Sequence, residues 1–394
     1  MKSFISVIFL FFLLSLRIYS QNKPKVIEIN LQCEEVTDLL DLFEVEKIVH
    51  LATQQAALIR NVRRLKSRND TIFIFDGRQC LVFDPNGKYI NTIGIPGRGP
   101  GELISPCDYG IHVDNNLLAF LDNRTTKIVI YDINGKHLTD KYPKLEYCGH
   151  LEWVTPDEFI ITTYIRQNAG YFSNRSDEFK NSCVYYYDSK NKIVKEILRF
   201  PDNPVVLKIE NWNNFYTYEN RTYFRNPISN NVYRFEGANK MIQAFQIDFG
   251  KYNIPEESNQ SNSKPATVLA EVQRGELVML FCFLEVKDFY YLVYKNSDDT
   301  FIHLISKNTG LQYRHNIKNK VDPLRFCAPL FYEEGALIGT LEPSRFLSIY
   351  DYAKTWDISK EKKQVYDSIA SSLNPEDNPA LLYLKPKSNF SIPK

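Results

Sequence analysis

The chain has 394 residues, of which 44% are hydrophobic and 14% aromatic, and its formal net charge at pH 7 is +1. This composition excludes a disordered chain. The near-neutral charge argues against a nucleic-acid-binding protein, so we expect no nucleic-acid partner.

The first twenty residues have the pattern of a secretory signal. Lys2 precedes an apolar run of 13 residues, Phe4–Leu16, and Ser20 is a small residue at the end of the segment. The run is shorter than the ~20 residues that span a bilayer, so the pattern predicts a signal peptide over residues 1–20. A retained N-terminal anchor is the alternative. Cleavage leaves 46 basic and 47 acidic residues and predicts a periplasmic or extracellular chain, without a transmembrane segment, that we expect to be monomeric.

After a lead-in with strands at Val26–Leu31 and near Ile48–Leu51, a basic segment follows. It contains Arg60, Arg63, Arg64, Lys66 and Arg68. A solvated face is the simplest interpretation. The alternative is an innermost strand whose arginines line a channel.

One side-chain template then recurs six times: an apolar–x–aromatic–acid strand followed by a turn with Asn, Gly or Lys. The copies are Val82–Lys88, Val129–Lys136, Tyr186–Lys192, Tyr233–Glu236, Leu304–Gly310 and Leu347–Asp351. Their mean spacing is about 53 residues, in the range of propeller blades with loops. A plain antiparallel sandwich has no reason to repeat one template at this period. The Asn-Gly pairs predict type I′ hairpin turns.

The repeat predicts six blades, at about residues 58–94, 106–141, 148–200, 208–249, 268–318 and 325–353. Blade three carries a polar insertion, Arg166–Ser182, and Pro255–Pro265 has the composition of a flexible connection. Ile358–Leu373 is predicted to be a helix because its apolar residues recur at a spacing of four. The last strand, Leu381–Lys385, is predicted to pair with a blade begun at the other terminus, which closes the ring.

The unit Leu117–Leu138 resembles an NHL-type blade. Over residues 26–387 the chain resembles the bacterial family of secreted six-bladed β-propellers with NHL/TolB-like repeats. Their first blade ends in a Gly-Arg-Gly-Pro-Gly-Glu loop like Gly97–Glu102, and the tail Asp377–Lys385 is similar to their closing strand. The resemblance implies an all-β, six-bladed propeller of four-stranded antiparallel blades, forming a single domain over residues 21–394. It implies fold and location far more than activity.

Propeller topology places the longest polar connections on one face. These are Gly97–Pro106, Arg166–Ser182 and Lys251–Lys264, and functional residues concentrate on long loops over a rigid scaffold. The Gly94–Gly101 loop is neither a Walker loop nor a Rossmann fingerprint, because no Gly-Lys-Ser/Thr and no βαβ pattern accompany it. The candidate ligand contacts, on this loop and the next innermost strand, are Arg98, Glu102, Asp108, Tyr109 and His112.

Arg98 has two interpretations. Its planar fork can hold a carboxylate or another oxyanion of a ligand in two hydrogen bonds. Alternatively, it pairs with Glu102 or Asp108 and holds the loop in place.

The sequence contains no recognisable catalytic motif. It has no HExxH, Gly-x-Ser-x-Gly or CxxC pattern, and its seven cysteines leave one or two disulfides open. We therefore expect a non-catalytic scaffold without a cofactor, which binds a protein or a small-molecule or carbohydrate ligand on the loop-rich face. The alternative is an enzyme of the propeller lyase or lactonase type, with a divalent metal held at the central channel by residues of different blades.

Overall fold

The computed structural model describes residues 23–387, except 113, 115, 146–147, 164–181, 200–213, 227–228, 238–239, 256–264, 320–321, 334, 354 and 357. The predicted signal peptide and the insertion Arg166–Ser182, apart from its last residue, lie outside the described residues. Six small antiparallel sheets form a six-bladed β-propeller, which confirms the predicted fold class.

The N-terminal segment adds a strand to the outer edge of three different blades. Its elements are β1 (Lys25–Glu28), β2 (Glu34–Val36), helix α1 (Leu39–Leu42) and β3 (Phe43–His50). β1 and β2 pair in parallel with the outer strands of blades four and five, while β3 pairs antiparallel within blade six. The segment therefore joins three consecutive blades along their rims.

Blades one to three each contain four strands in chain order from the axis outward. Blade one comprises β4 (Arg64–Arg68), β5 (Thr71–Phe75), β6 (Cys80–Phe83) and β7 (Tyr89–Ile93). A short parallel pair follows, β8 (Ile95–Pro96) and β9 (Glu102–Leu103). Blade two comprises β10 (Pro106–His112), β11 (Leu117–Asp122), β12 (Lys127–Asp132) and β13 (His137–Lys141). Blade three comprises β14 (Cys148–Thr155), β15 (Glu158–Thr163), β16 (Ser182–Asp188) and β17 (Ile193–Arg199).

Blades four and five each have four strands of their own and a fifth from the N-terminal segment. Blade four comprises β18 (Phe215–Tyr218), β19 (Arg221–Arg225), β20 (Asn231–Phe235) and β21 (Met241–Asp248). Helix α2 (Pro265–Gln273) precedes blade five, which comprises β22 (Val278–Glu285), β23 (Phe289–Asn296), β24 (Asp299–Ser306) and β25 (Gln312–Asn316).

Blade six combines the two ends of the chain and closes the ring. Its strands are β26 (Phe331–Glu333), β27 (Ala336–Leu341), β28 (Ala380–Pro386) and the N-terminal β3, and helices α3 (Pro343–Ala353) and α4 (Lys360–Ser371) lie between β27 and β28. The predicted closing strand and the predicted helix at Ile358–Leu373 are both confirmed. The closing strand β28 pairs with β27 on one side and with the N-terminal β3 on the other, so it is not left at an open edge.

The repeated acid of the sequence template caps a turn. The Asp84 carboxylate accepts hydrogen bonds from the backbone N–H groups of residues 86 and 88, both at 2.9 Å. In blade two Asp132 accepts hydrogen bonds from the N–H groups of residues 134 and 136, and in blade three Asp188 accepts them from residues 190 and 191. Short Asp side chains favour such turns, so in blades one to three the acid of the template recurs because it caps the turn between the third and fourth strands.

The prediction of type I′ turns is wrong. Only the glycine of the Asn86-Gly87 pair has a positive φ, at +84°, and the Gly87 N–H donates to the Asp84 carbonyl at 3.0 Å. The loop therefore has three residues, and the pairing of β6 with β7 shifts beside it, because Phe83 pairs with Tyr89 and Val82 with Asn91. Asp84 selects this turn because its carboxylate bonds two N–H groups of the loop.

The sixth copy of the template, Leu347–Asp351, is not a strand; it lies within α3. Phe346 and Ala353, seven residues apart, are buried on one side of this helix. A helical period therefore prevails over the local resemblance to a strand. β28 supplies the third strand of blade six instead.

Candidate functional site

Basic side chains of the innermost strand of blade one line the propeller axis, as one of the two interpretations of the sequence predicts. Residues two apart in a strand share a face, so Arg64, Lys66 and Arg68 project together from β4. Arg64 and Lys66 are both 3% exposed. Buried charges require partners, and carboxylates from other blades supply them.

Arg64 joins blade one to blades two and three. Its guanidinium pairs with Asp108 of β10 and, at 2.5 Å, with Glu152 of β14, and it donates to the Leu151 carbonyl at 2.9 Å. Asp108 also accepts the Leu151 N–H at 2.8 Å. One planar cation thus connects three inner strands, in keeping with the fixed fork of donors in an Arg side chain.

The network continues along β4 toward blade six. The Lys66 Nζ lies 3.4 Å from Glu152 and 3.9 Å from Glu333 of β26, while Arg68 pairs with Glu333 at 2.5 Å. We call Arg64, Lys66, Arg68, Asp108, Glu152 and Glu333 the axial ion network. Its three cations balance its three carboxylates, so the network leaves no net charge.

The pKa directions at Arg64 and Asp108 agree with this geometry. Burial alone would raise the pKa of the Asp108 carboxyl, but Arg64, together with a hydrogen bond from His150, holds that pKa below its ordinary value. Burial would lower the pKa of Arg64, and Asp108 and Glu152 raise it instead. Both groups are therefore ionised at neutral pH.

A cavity of about 730 Å³ opens at the end of the axis where the inner strands finish. The last residues of β4, β10, β18 and β26 line it, together with Glu152–Val154 of β14. Asp114, Glu219, Asn220 and Gly335, in the turns that follow the inner strands, form its rim. Its volume is within the range of small-molecule pockets.

Aromatic rings contribute much of the cavity wall. The Tyr218 and Tyr332 rings lie 6.3 Å apart between centroids, and the His112 ring meets Trp153 edge-on at 5.4 Å. Trp153 is 7% exposed and fits closely against β10, where a Cβ on Gly110 would lie 2.8 Å from the indole ring. The cavity therefore combines apolar ring surface with the polar groups of the axial ion network.

The predicted loop Gly97–Pro106 lies at the opposite face, where the inner strands begin. Arg98 is exposed there. Glu102 accepts the Gly99 N–H at 2.7 Å, and its carboxylate occupies the position that a Cβ on Gly97 would need. Glu102 thus holds the loop, and Arg98 does not reach the cavity. Whether that face binds a ligand stays a prediction.

The other three predicted site residues lie together on β10. Asp108 belongs to the axial ion network, and the fully buried Tyr109 donates its hydroxyl hydrogen to the Phe73 carbonyl at 2.9 Å. His112 alone of the five lines the cavity. Sequence reasoning missed Glu152, Tyr218, Tyr332 and Glu333, and it considered Trp153 for sugar stacking without placing it among the site residues. Their one signal is that polar or aromatic residues lie near the ends of innermost strands.

Among the described residues, no group of three or more His, Cys, Asp or Glu side chains is placed to hold a metal ion. His303 and His315 lie on β24 and β25, where they contact Gln312 and Asp322. The described residues thus offer no ligand set for an axial metal. The six cysteines whose side chains are described are all free thiols.

The fold and the axis define a six-bladed β-propeller with a polar cavity at one mouth of its channel. Residues 24–385 match the family model described as a domain of unknown function, DUF4934, and the chain belongs to this family. The match does not identify NHL or TolB-like repeats, so that finer resemblance stays a prediction.

Solved structures share the fold at low identity. A candidate exported protein of Bacteroides fragilis is 18% identical with a TM-score of 0.71, over 92% of this chain and 100% of that one. A member of the DUF4221 family from Bacteroides vulgatus is 10% identical with a TM-score of 0.52, over 88% and 98% of the two chains. Virginiamycin B lyase from Staphylococcus aureus is 12% identical, over 69% and 73%, and its TM-score of 0.36 is too low to support an inference about function.

No curated protein matches the chain. Within the described ranges, no helix has both the length and the apolar character needed to cross a membrane.

Proposed function

We propose that this protein is an exported, non-catalytic propeller that binds a small organic ligand in the axial cavity. The observation that carries the proposal is the cavity of about 730 Å³ at the point where the inner strands converge. Ligand sites of this kind are concave and mostly pre-formed, with few polar groups at fixed positions. Glu152 and Glu333, fixed by the ion pairs at the cavity wall, fit that description.

The same ion pairs hold two carboxylates in fixed positions at the cavity wall. Glu152 contacts both Arg64 and Lys66, and Glu333 contacts Arg68. Charge-assisted hydrogen bonds add geometric specificity as well as energy, so these two groups suit fixed hydrogen-bond acceptors for a ligand.

Ligand binding is tested by a thermal-shift screen with cationic, anionic and neutral compounds of drug size. We expect a subset to raise the melting temperature, and the variant Thr217→Trp, which fills the cavity mouth, to abolish the shift. Thr139→Trp on the outer strand β13 is the matched control and should still show the rise in melting temperature. Arg98→Ala tests the opposite face and should show the same rise. A screen without any stabilising compound, or compounds that Thr217→Trp leaves unaffected, would contradict the proposal.

Export rests on the signal pattern of residues 1–20 and on the name of the Bacteroides fragilis relative. We expect the mature chain to begin near Gln21. Mass spectrometry of the protein purified from its native host decides this, because a mass that includes Met1 would contradict cleavage.

A further inference from the structure

We infer that the axial cavity binds a ligand with a positively charged ammonium or guanidinium group. The inference rests on the proposed function and names the chemical class of its ligand. Two features of the cavity carry it: the charge of its rim and its aromatic wall.

The rim adds negative charge to a balanced network. The axial ion network contains three cations and three carboxylates. Asp114 and Glu219, both exposed in turns at the mouth, add two further carboxylates. The nearby Lys307 does not offset them, because it pairs with Glu285 at 2.9 Å. The mouth therefore carries an excess of two negative charges.

The pKa values of Tyr218 and Tyr332 agree with a negative potential at the mouth. Burial, and after it the carboxylates of Glu219 and Glu285, raise the pKa of Tyr218 to about 12. The pKa of Tyr332 is raised by burial and by the same two carboxylates. Both phenols therefore stay neutral and lie in a region of negative potential, where a cation is stabilised.

The ring faces suit a cation as well. Tyr218 already has the Lys307 Nζ 4.9 Å from its ring centroid, and its ring lies 6.3 Å from that of Tyr332. Aromatic faces attract ammonium and guanidinium groups, more strongly when water is displaced. A ligand cation between this tyrosine pair and the rim carboxylates would receive both interactions.

Trp153 adds apolar ring surface to the cavity wall. Its side chain lines the cavity and is 7% exposed. Its buried Nε1 lies against β10, because a Cβ on Gly110 would be 3.3 Å from that atom. The indole therefore offers ring surface to a ligand, and the rim carboxylates and the tyrosine pair carry the recognition of its charge.

The test is isothermal titration calorimetry of the mature protein with Nα-acetyl-argininamide, which has a guanidinium group and two carbonyl groups. The citrulline analogue has nearly the same shape without the charge, the glutamate analogue is an anion, and maltose is a neutral sugar. We expect the arginine compound to bind at least about tenfold more tightly than the citrulline compound. Its affinity should fall as salt is raised, because screening weakens exposed charges.

Variants locate the cation. Glu219→Gln should weaken the arginine compound about threefold or more, and Glu219→Lys about tenfold or more. Asp288→Asn is the matched control: Asp288 is exposed in the equivalent turn of blade five but does not line the cavity. It should leave the affinity unchanged.

Two kinds of failure are distinguishable. If maltose or the glutamate compound binds more tightly than the arginine compound and Thr217→Trp abolishes that binding, the cavity is a ligand site but the cation assignment is overturned. Equal affinity for the arginine and citrulline compounds overturns it too, as does the absence of arginine binding at about 10 mM. If no compound binds in the cavity in either this titration or the screen, the proposed function fails as well.

Discussion

Arg64 is the side chain whose removal should disturb the axis most, and Arg64→Met tests this. The substitution keeps an unbranched side chain but leaves Asp108 without its guanidinium partner and Glu152 with Lys66 alone. The side chains of Arg64, Asp108 and Glu152 are each at most 8% exposed. Removing one partner of a buried ion pair costs about 3–5 kcal/mol. We expect Arg64→Met to lower the free energy of unfolding by that amount.

The assay is urea denaturation of the mature protein at neutral pH, with Arg274→Met as the matched control. Arg274 makes a surface ion pair with Glu276, both 54% exposed, and exposed pairs contribute little. The control should therefore keep the wild-type midpoint. A destabilisation by Arg64→Met within about 1 kcal/mol of the control would refute the role assigned to the network.

The cost of Arg64→Met should also depend on pH. In the wild type the folded-state pKa of Asp108 is lowered, so its contribution is present above its unfolded-state pKa and is lost as pH falls through the folded value. In the variant, burial remains without Arg64 and raises that pKa, so the penalty of the ionised carboxylate is relieved as pH falls. The stability gap between wild type and variant should therefore be largest near neutral pH and narrow in acid. A gap that widens in acid would contradict the assignment.

Two further changes test the closure of the ring and one turn. Deleting residues 381–394 removes all of β28 except Ala380 and should abolish the cooperative transition at the wild-type midpoint, because β27 and β3 lose their shared partner. Deleting only residues 388–394 is the control. Equal melting temperatures for the two truncated proteins would contradict closure by β28. Gly87→Ala should destabilise the protein more than Gly237→Ala, although both glycines have φ near +85°. A Cβ at Gly87 would lie 2.0 Å from the His50 carbonyl oxygen, whereas a Cβ at Gly237 would meet none of the described residues within 4 Å. The left-handed conformation alone costs about 1–2 kcal/mol, so equal urea midpoints for the two variants would contradict the steric reason.

Much of the fold can be predicted from local chemistry. Asp84, Asp132 and Asp188 mark the turns between third and fourth strands because a capping carboxylate acts within four residues of its own position. The template also matches Leu347–Asp351, but this segment is helical and not a strand. The local pattern is insufficient there, because the burial of Phe346 on one side of the helix determines the structure. The strand predicted at Val26–Leu31 overlaps β1, but its parallel pairing and the strand β2 are not predicted, because the pairing of both strands depends on the rims of distant blades.

The candidate site is predicted less well, for a physical reason. Loop length favours the face that carries Arg98, whereas the cavity lies at the other end of the axis. Glu152, Tyr218 and Glu333 come together only because three inner strands end side by side, and no local pattern specifies that convergence. Arg64 and Lys66 were noticed as part of a basic segment, but their carboxylate partners lie on blades two, three and six.

The most direct measurement of ligand binding in the axial cavity is fluorine NMR of protein labelled with 5-fluorotryptophan. The chain has three tryptophans, Trp153, Trp212 and Trp356, of which Trp153 lines the cavity, and a Trp153→Phe variant assigns its signal. We expect a compound that raises the melting temperature, Nα-acetyl-argininamide first, to shift the Trp153 resonance and leave that of Trp356, between α3 and α4, in place. A bound compound that shifts Trp356 while Trp153 stays unchanged would contradict the axial site.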